Sequence, residues 1–410
     1  MKIRFKRKNS VRALIFLFST IVMIYYFLPI SASILTASIM MIIVYGIYFL
    51  IFISSDWKDV PVVCCNSLLL VSMLIIFCVR EYYKDGYIGV YSIFLVFLPA
   101  FLGTFLINKG WYSVLQKLSI IILVSLFITG ITTFIGLNIY PELARDLAAF
   151  SSDHIISIST NYNIGGYDIV YCITLCIPVY CLFIDKKITS VLRIILQLAI
   201  FIMSIMFFIK TQYTTAMLLG MVNCILIILI RKFDLKRLGI IALIGIVLFS
   251  SFKSNIADAL SNASKQVESQ SISQRLDELS QALDSGKVTG EDMTERGNAY
   301  QKSIDAFGKH PVFGTWLRSD TIKLGGHSTI LDLMAGSGII LFAIVLLAFF
   351  YTEKIMLCKI QDDVTKKYAG IFLIIFCILA IVNPIISGTF FSIFFIGLPG
   401  VTLLNNRSDK

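Results

Sequence analysis

The sequence predicts an all-α polytopic membrane protein with about twelve transmembrane helices and one large helical extracytoplasmic loop between helices 9 and 10. Of the 410 residues, 57% are hydrophobic. Only 15% are charged, and the mean hydropathy is +0.85. The apolar runs are about twenty residues long, which is the length a helix needs to cross a bilayer. They lack the alternation of a membrane barrel, so we expect helices.

The apolar runs define the spans. Windows of about twenty residues place them as follows. They cover residues 11–30, 31–53, 60–79, 87–107, 118–137, 165–184, 189–209, 214–230, 238–252, 328–350, 368–383 and 385–404. We therefore divide the chain into nine transmembrane helices within 1–252, an extracytoplasmic helical loop at 253–327, and three further helices with a cytoplasmic tail at 328–410.

The basic residues fix the predicted orientation. The formal charge is +10, but the Lys and Arg residues gather at one set of helix ends rather than in a patch suited to nucleic acid, so no nucleic-acid partner is expected. With the N-terminus inside, the short outer segments hold only Arg80, Lys84, Arg145 and Lys210. The positive-inside rule then puts both termini in the cytoplasm.

The nine cysteines fall in predicted spans or cytoplasmic loops, with no CxxC pair beside a histidine. We expect neither a disulfide nor a metal site, and no cofactor.

The loop at 253–327 predicts two helices. Ile272, Leu276, Leu279 and Leu283 follow helical spacing. A second helix opens at Thr294 and Glu295 and carries Tyr300, Ile304 and Phe307 before Gly308 and Pro311 stop it. The loop is therefore expected to form a small helical cap over the outer face of the membrane.

The same loop carries a set of motifs with a recognisable order. Arg296 is followed by Lys309-His310-Pro311-Val312-Phe313-Gly314, then by Gly326-His327-Ser328-Thr329-Ile330-Leu331-Asp332-Leu333 and Gly336-Ser337-Gly338. This pattern resembles the O-antigen ligase and polymerase superfamily, and it is sharp only over residues 270–340. Arg275, Arg296 and the His-Ser-x-x-Leu-Asp run are more similar to Wzy-type repeat-unit polymerases than to ligases.

The resemblance implies a GT-C-like glycosyltransferase of the bacterial cytoplasmic (inner) membrane. Such an enzyme takes glycan from undecaprenyl diphosphate, without a metal, and builds O-antigen or capsular polysaccharide on the outer face. It implies partners of four kinds: undecaprenyl-diphosphate-linked glycans, membrane lipids, a chain-length regulator and a flippase.

The candidate catalytic residues are His327, Arg296 and Asp332. Arginine offers a planar, permanently charged donor for a leaving diphosphate. An imidazole can accept the proton of an attacking hydroxyl near neutral pH, and Asp332 can orient that base or act as one. Without the resemblance, His327 can also be an N-terminal helix-cap residue at the interface. Asp332 can also pair with Lys323 or cap a buried polar cluster.

Further residues are candidates for binding the diphosphate or the sugars. They are Arg275, Arg318, Lys210, Arg145 and Tyr300. The family often has Ser-Arg-Gly where this chain has Thr211-Gln212-Tyr213, and only Lys210 supplies a charge there, which weakens a ligase interpretation.

Three other functions compete with a polymerase. A ligase would transfer the glycan to lipid A-core. A transporter or lipid-linked oligosaccharide flippase would show charged or broken helices at the midplane, whereas these spans are nearly free of charge. A nonenzymatic scaffold fits everything except the arginine and histidine pattern.

Overall fold

The computed structural model of the chain is helical throughout the part that it describes, with turns and bends between the helices and no strand in that part. The described residues are 2–54, 60–149, 152–188, 191–230, 253–266, 273, 277, 280–281, 291–315 and 324–404.

The helices follow the predicted apolar runs closely. They are α1 (Lys2–Phe27), α2 (Ala37–Ser54), α3 (Val60–Asn108), α4 (Tyr112–Gly136), α5 (Leu143–Ala149), α6 (Asp153–Tyr162), α7 (Tyr167–Lys187), α8 (Val191–Thr211), α9 (Thr214–Ile230), α10 (Lys253–Ser264), α11 (Glu291–Lys309), α12 (Thr329–Lys359), α13 (Asp363–Val382), α14 (Gly388–Ser392) and α15 (Leu398–Thr402). A 3₁₀ turn lies at Pro29–Ser33, and a π-helical turn at Ile393–Gly397 joins α14 to α15.

Eight helices within the described ranges are long and apolar enough to cross a membrane, so the chain is a helical membrane protein. The count is lower than the twelve predicted spans, for identifiable reasons. Thr214–Leu229 and Gly388–Thr402 are apolar but shorter. The predicted span at 238–252 lies outside the described residues, and the one at 60–79 belongs to α3.

Helix α3 contains two of the predicted spans. It is a single helix of 49 residues, yet the ring centroids of Phe77 and Phe97 lie 5.3 Å apart. Twenty residues of straight helix would separate them by about 30 Å. The chain therefore does not run straight between these two rings, and the division into two spans at 60–79 and 87–107 stays a prediction.

The chain forms two compact units. The first comprises Met1–Ile225, Ile340–Leu379 and Ile385–Lys410, and the second comprises Leu226–Ile339 and Ala380–Pro384. The second unit thus includes the predicted loop at 253–327, the beginning of α12 and the last residues of α13.

In the first unit, segments predicted to be cytoplasmic meet at the same helix ends. The Arg12 guanidinium donates to Ser113. The Lys359 ammonium donates to the carbonyl of Ile107 at 3.2 Å. The Lys186 ammonium donates to the carbonyl of Thr402 at 2.7 Å. These contacts join residues that are far apart in sequence, and the cytoplasmic location of these helix ends stays a prediction.

At their other ends, the helices of the first unit meet around Asn163. Its side-chain oxygen accepts a hydrogen bond from the backbone of Ile30 at 3.2 Å, and its amide donates to Thr129 and Thr132. Asn163 has φ +52°, a left-handed conformation that asparagine tolerates. The buried amide therefore links the segment after α1, the C-terminal part of α4 and the segment before α7.

The core of the first unit is centred on α4. Four side chains of α4 follow helical spacing, and each is 0% exposed: Leu115, Leu118, Ile122 and Leu126. This buried stripe packs against α1, α7 and α15. Gly400 of α15 makes the closest approach, since a Cβ there would lie 2.6 Å from the Ser119 side chain.

Candidate functional site

The described part of the predicted extracytoplasmic loop consists mainly of α10 and α11. The predicted helix with Ile272 to Leu283 falls largely outside the described residues, as do Arg275 and Arg318. The second predicted helix is confirmed as α11, which begins at Glu291 and ends at Lys309. α11 begins three residues before Thr294 and ends one residue after Gly308. A turn at residues 311–315 follows it.

The buried face of α11 consists of small residues. Ala299, Ser303 and Ala306 are 6%, 1% and 5% exposed, whereas Ile304 is 47% exposed. The largest aliphatic side chain of this segment therefore does not face the core. The reason is a close backbone approach: a Cβ on Gly325 would lie 2.0 Å from the Ala299 carbonyl oxygen. Larger inward side chains on α11 would hold the segment at Gly325 away.

Asp332 of α12 ties this segment to α11. One of its carboxylate oxygens accepts hydrogen bonds from the Ser303 hydroxyl at 2.5 Å and from the Gly326 N–H at 3.3 Å. The other oxygen accepts from the Ser328 N–H at 3.2 Å. The Ser328 hydroxyl in turn accepts from the Leu331 N–H at 3.2 Å, so Ser328 caps α12 in the usual way. The Asp332 carboxylate thus accepts three hydrogen bonds and holds the segment at 326–328 against α11.

His327 lies between the two backbone amides that Asp332 anchors, those of Gly326 and Ser328. Its side chain is exposed, and it makes no hydrogen bond to any residue within the described ranges. Gly326 has φ +75°, a conformation that glycine adopts without strain. The loop therefore holds the His327 backbone in place and leaves the imidazole accessible.

Arg296 and Tyr300 lie one helical turn apart on the half-buried side of α11. The Tyr300 hydroxyl donates to the Val382 carbonyl at 3.0 Å. Burial raises the pKa of Tyr300; the positive charge of Arg296 acts against this rise and the negative charge of Asp332 adds to it. Both charges therefore act on the same hydroxyl, so Arg296, Tyr300 and Asp332 form one electrostatic cluster.

Asn383, which borders this cluster, was not indicated by any sequence pattern. Its backbone carbonyl accepts from both the N–H and the hydroxyl of Thr329, at 3.2 Å and 3.1 Å. The Asn383 side chain is 3% exposed, and its amide nitrogen has no hydrogen-bond partner among the described residues. Spacing could not have indicated it, because Asn383 follows Thr329 by more than fifty positions.

The turn after α11 is fastened to α12 by backbone contacts. The Thr315 N–H donates to the Ala335 carbonyl at 3.0 Å, and the Ile339 N–H donates to the Pro311 carbonyl at 2.8 Å. Gly338 interrupts α12 with φ +67° and ψ 176°. The Gly-Ser-Gly motif therefore makes a break in the helix that receives the turn.

Replacing Gly338 with alanine is expected to destabilise this region by about 1–3 kcal/mol from backbone strain alone, because its conformation is nearly exclusive to glycine. In addition, a Cβ there would lie 2.3 Å from the Val312 carbonyl oxygen. Thermal unfolding of the purified protein measures the loss. The matched control is Gly297→Ala, since a Cβ at Gly297 meets nothing within 4 Å and alanine favours a helix. An unchanged transition for Gly338→Ala would contradict the fastening of turn to helix.

Asp332→Asn is expected to destabilise the protein by about 1–3 kcal/mol, because the amide nitrogen turns a donor toward one of the three donors that the carboxylate satisfies. Asp305→Asn is the control, since Asp305 is exposed on α11 and accepts only from the Gln301 side chain among the described residues. Unaltered unfolding of Asp332→Asn combined with lost activity would instead assign Asp332 a chemical role.

Lys210 and Arg145 belong to the first unit. The Lys210 ammonium donates to Asn138 and lies 6.0 Å from the centroid of the Phe134 ring. Arg145 lies half-buried on α5. Their assignment to substrate binding stays a prediction. Within the described ranges, no three His, Cys, Asp or Glu side chains are placed to hold a metal ion.

The fold defines a helical polytopic membrane protein, and the second unit defines a polar cluster of Arg296, Tyr300 and Asp332 beside an exposed histidine. Comparison with known proteins adds no closer assignment: no family model matches the chain, and no curated protein is significantly similar to it.

Proposed function

We propose that this protein polymerises undecaprenyl-diphosphate-linked oligosaccharide repeat units into O-antigen or capsular polysaccharide at the outer face of the bacterial cytoplasmic membrane. The observation that carries the proposal is the cluster in the second unit. A half-buried guanidinium at Arg296 acts on the Tyr300 hydroxyl, and the exposed His327 lies on a loop whose flanking amides are anchored to Asp332.

In the proposed reaction, the hydroxyl of an acceptor sugar attacks the anomeric carbon of a donor glycan. The bond between that carbon and the diphosphate oxygen breaks, and the electron pair stays on the diphosphate. His327 takes the proton of the attacking hydroxyl. Arg296 stabilises the negative charge that develops on the leaving diphosphate, as fixed cations do in other transfer reactions.

Asp332 and Tyr300 support this chemistry as positioning residues. Asp332 holds the backbone on both sides of His327, which fixes the direction from which the imidazole meets the acceptor. The Tyr300 hydroxyl is engaged with the Val382 carbonyl, so its ring keeps the Arg296 side of α11 against the end of α13. Both contacts would preorganise the site before substrate arrives.

The polymerase is preferred to a ligase on the sequence. Thr211-Gln212-Tyr213 replaces the family's arginine-containing motif at the end of α8, whereas Arg296 and the His-Ser-x-x-Leu-Asp run fit the polymerase branch. A transporter fits less well because the ionisable cluster lies on α11 and in the first turn of α12, rather than at the middle of a span. Twelve spans with both termini in the cytoplasm complete the proposal.

The test is the surface glycan of a strain that lacks the protein. We expect glycan of a single repeat unit, restored to long chains by the wild-type protein. Absence of all glycan from the lipid A-core would instead identify a ligase, and accumulation of lipid-linked repeats on the inner side would identify a flippase. Chain extension in isolated membranes is also expected to continue in the presence of a chelator; its abolition would contradict metal-independent transfer.

A further inference from the structure

A groove in the first unit lies between α4, α7 and α8. Its volume is about 460 Å³, within the range of about 300–1,000 Å³ that is usual for small-molecule sites. Side chains of all three helices line it, and almost all of them are apolar. They include Gly130 and Phe134 of α4, Ile177 of α7, and Met203 and Phe207 of α8. The Ile173 side chain of α7 covers Gly130, since a Cβ at Gly130 would lie 3.2 Å from the Ile173 Cδ1 atom.

The groove opens sideways, toward the surface that the spans present to the bilayer. Among its lining side chains, Phe127, Met203 and Met206 are 49%, 47% and 49% exposed. A hydrocarbon chain can therefore enter from the membrane without displacing any helix. The Tyr180 hydroxyl, the polar group of the α7 wall, already donates to the Leu123 carbonyl at 2.7 Å, so a bound chain would leave no polar group of that residue unsatisfied.

One end of the groove carries a positive charge. Lys210 follows Phe207 by three residues on α8, and its ammonium lies 6.0 Å from the centroid of the Phe134 ring, which lines the groove. The ammonium donates one hydrogen bond to the Asn138 side chain. An ammonium has three donors, so this bond fixes the position of the charge and leaves donors for an anionic group above the groove.

The length of the groove fits one membrane leaflet. Its α4 wall runs from Leu126 to Ile135, which at the helical rise is about 14 Å. Half of a hydrocarbon core of about 30 Å is about 15 Å. A chain anchored at Lys210 would therefore lie along the groove as an ordinary acyl chain lies in its own leaflet.

We propose that this groove binds one acyl chain of an anionic phospholipid, with the headgroup phosphate at Lys210. The apolar walls accept the chain, and the fixed ammonium selects a net negative headgroup over a zwitterionic one. The site would keep α4, α7 and α8 packed on a defined lipid. It lies wholly within the first unit and does not depend on the glycosyl-transfer proposal.

Native mass spectrometry of the purified, delipidated full-length protein tests the site. Phosphatidylglycerol and phosphatidylcholine with identical acyl chains are added, and the retained lipid is counted. We expect the wild type to retain phosphatidylglycerol about fivefold better, the contribution of one cation near a headgroup. Lys210→Gln should abolish this preference. Met203→Trp, which fills the groove from its exposed side, should reduce retention of both lipids.

Lys187→Gln is the matched control. Lys187 is an exposed cation in the last turn of α7 and does not line the groove, so its loss should leave the preference for phosphatidylglycerol unchanged. A preference that survives Lys210→Gln would overturn the proposal, as would equal retention of the two lipids by the wild type. Displacement of phosphatidylglycerol by stoichiometric polyprenyl phosphate would also overturn it, by assigning the groove to an isoprenoid lipid.

Discussion

Replacing His327 with alanine is expected to slow glycan chain extension by about 10²–10⁴-fold, the usual contribution of a positioned general base. Thermal unfolding should stay unchanged, because the imidazole is exposed and makes no hydrogen bond within the described ranges. Slowed extension together with unchanged unfolding is informative for a structural reason. The backbone of His327 is anchored through Gly326 and Ser328, and the alanine variant keeps both of those amides. Lost activity would therefore report on the side chain alone.

Membranes supplied with lipid-linked repeat units provide the assay, with product length read by electrophoresis. His154→Ala is the matched control, since His154 is likewise exposed, at the start of α6 in the first unit. Its product lengths should equal those of the wild type. Normal product lengths from His327→Ala would remove the imidazole from the proposed reaction and leave Arg296 without a partner base.

The sequence was informative about α11 and much less so about what α11 faces. The cap-like Thr294 and Glu295 and the stop at Pro311 located the helix to within three residues. The pattern did not indicate which face of the helix is buried: Ser303 is buried, and Ile304 is exposed. Periodicity detects apolar faces, but here the neighbour is backbone at Gly325, and a helix meets backbone best with small side chains.

The sequence left several roles open for Asp332: a catalytic group, a partner of Lys323, or a cap of a buried polar cluster. Spacing on α12 placed it five residues from His327, which is compatible with a catalytic pair. Its three hydrogen bonds come from Ser303, Gly326 and Ser328, and the shortest of them joins residues 29 positions apart. Such a contact depends on how α11 packs on the start of α12. The same applies to the Tyr300 hydroxyl, whose acceptor is 82 positions away.

The apolar spans were the most predictable feature, because the length requirement of a bilayer acts on each segment separately. Of the two spans predicted within α3, the second coincides with a candidate span at Gly89–Asn108, and the one at 60–79 stays a prediction. By contrast, the break at Gly338 was not predicted. A Gly-Ser-Gly run in an apolar segment is compatible with an unbroken helix until the turn at Pro311–Thr315 is known to dock there.

Replacing Arg296 with alanine is expected to lower chain extension by about 10²–10³-fold, the usual cost of removing one fixed donor to a developing anion. The half-buried position of Arg296 and its influence on the Tyr300 hydroxyl place the charge at the cluster rather than in bulk water. Lys302→Ala is the matched control, because Lys302 is an exposed cation on the same helix. Its product lengths should match the wild type.

Arg296→Lys separates charge from geometry. Lysine keeps the positive charge but cannot donate two parallel hydrogen bonds to one phosphate, so we expect activity between those of the wild type and Arg296→Ala. Equal activity of the lysine variant and the wild type would show that a general positive field suffices, and equal activity of the alanine variant would exclude Arg296 from the reaction. Because arginine and lysine carry the same charge at every pH of the assay, the difference between the two variants measures the directional part of diphosphate binding.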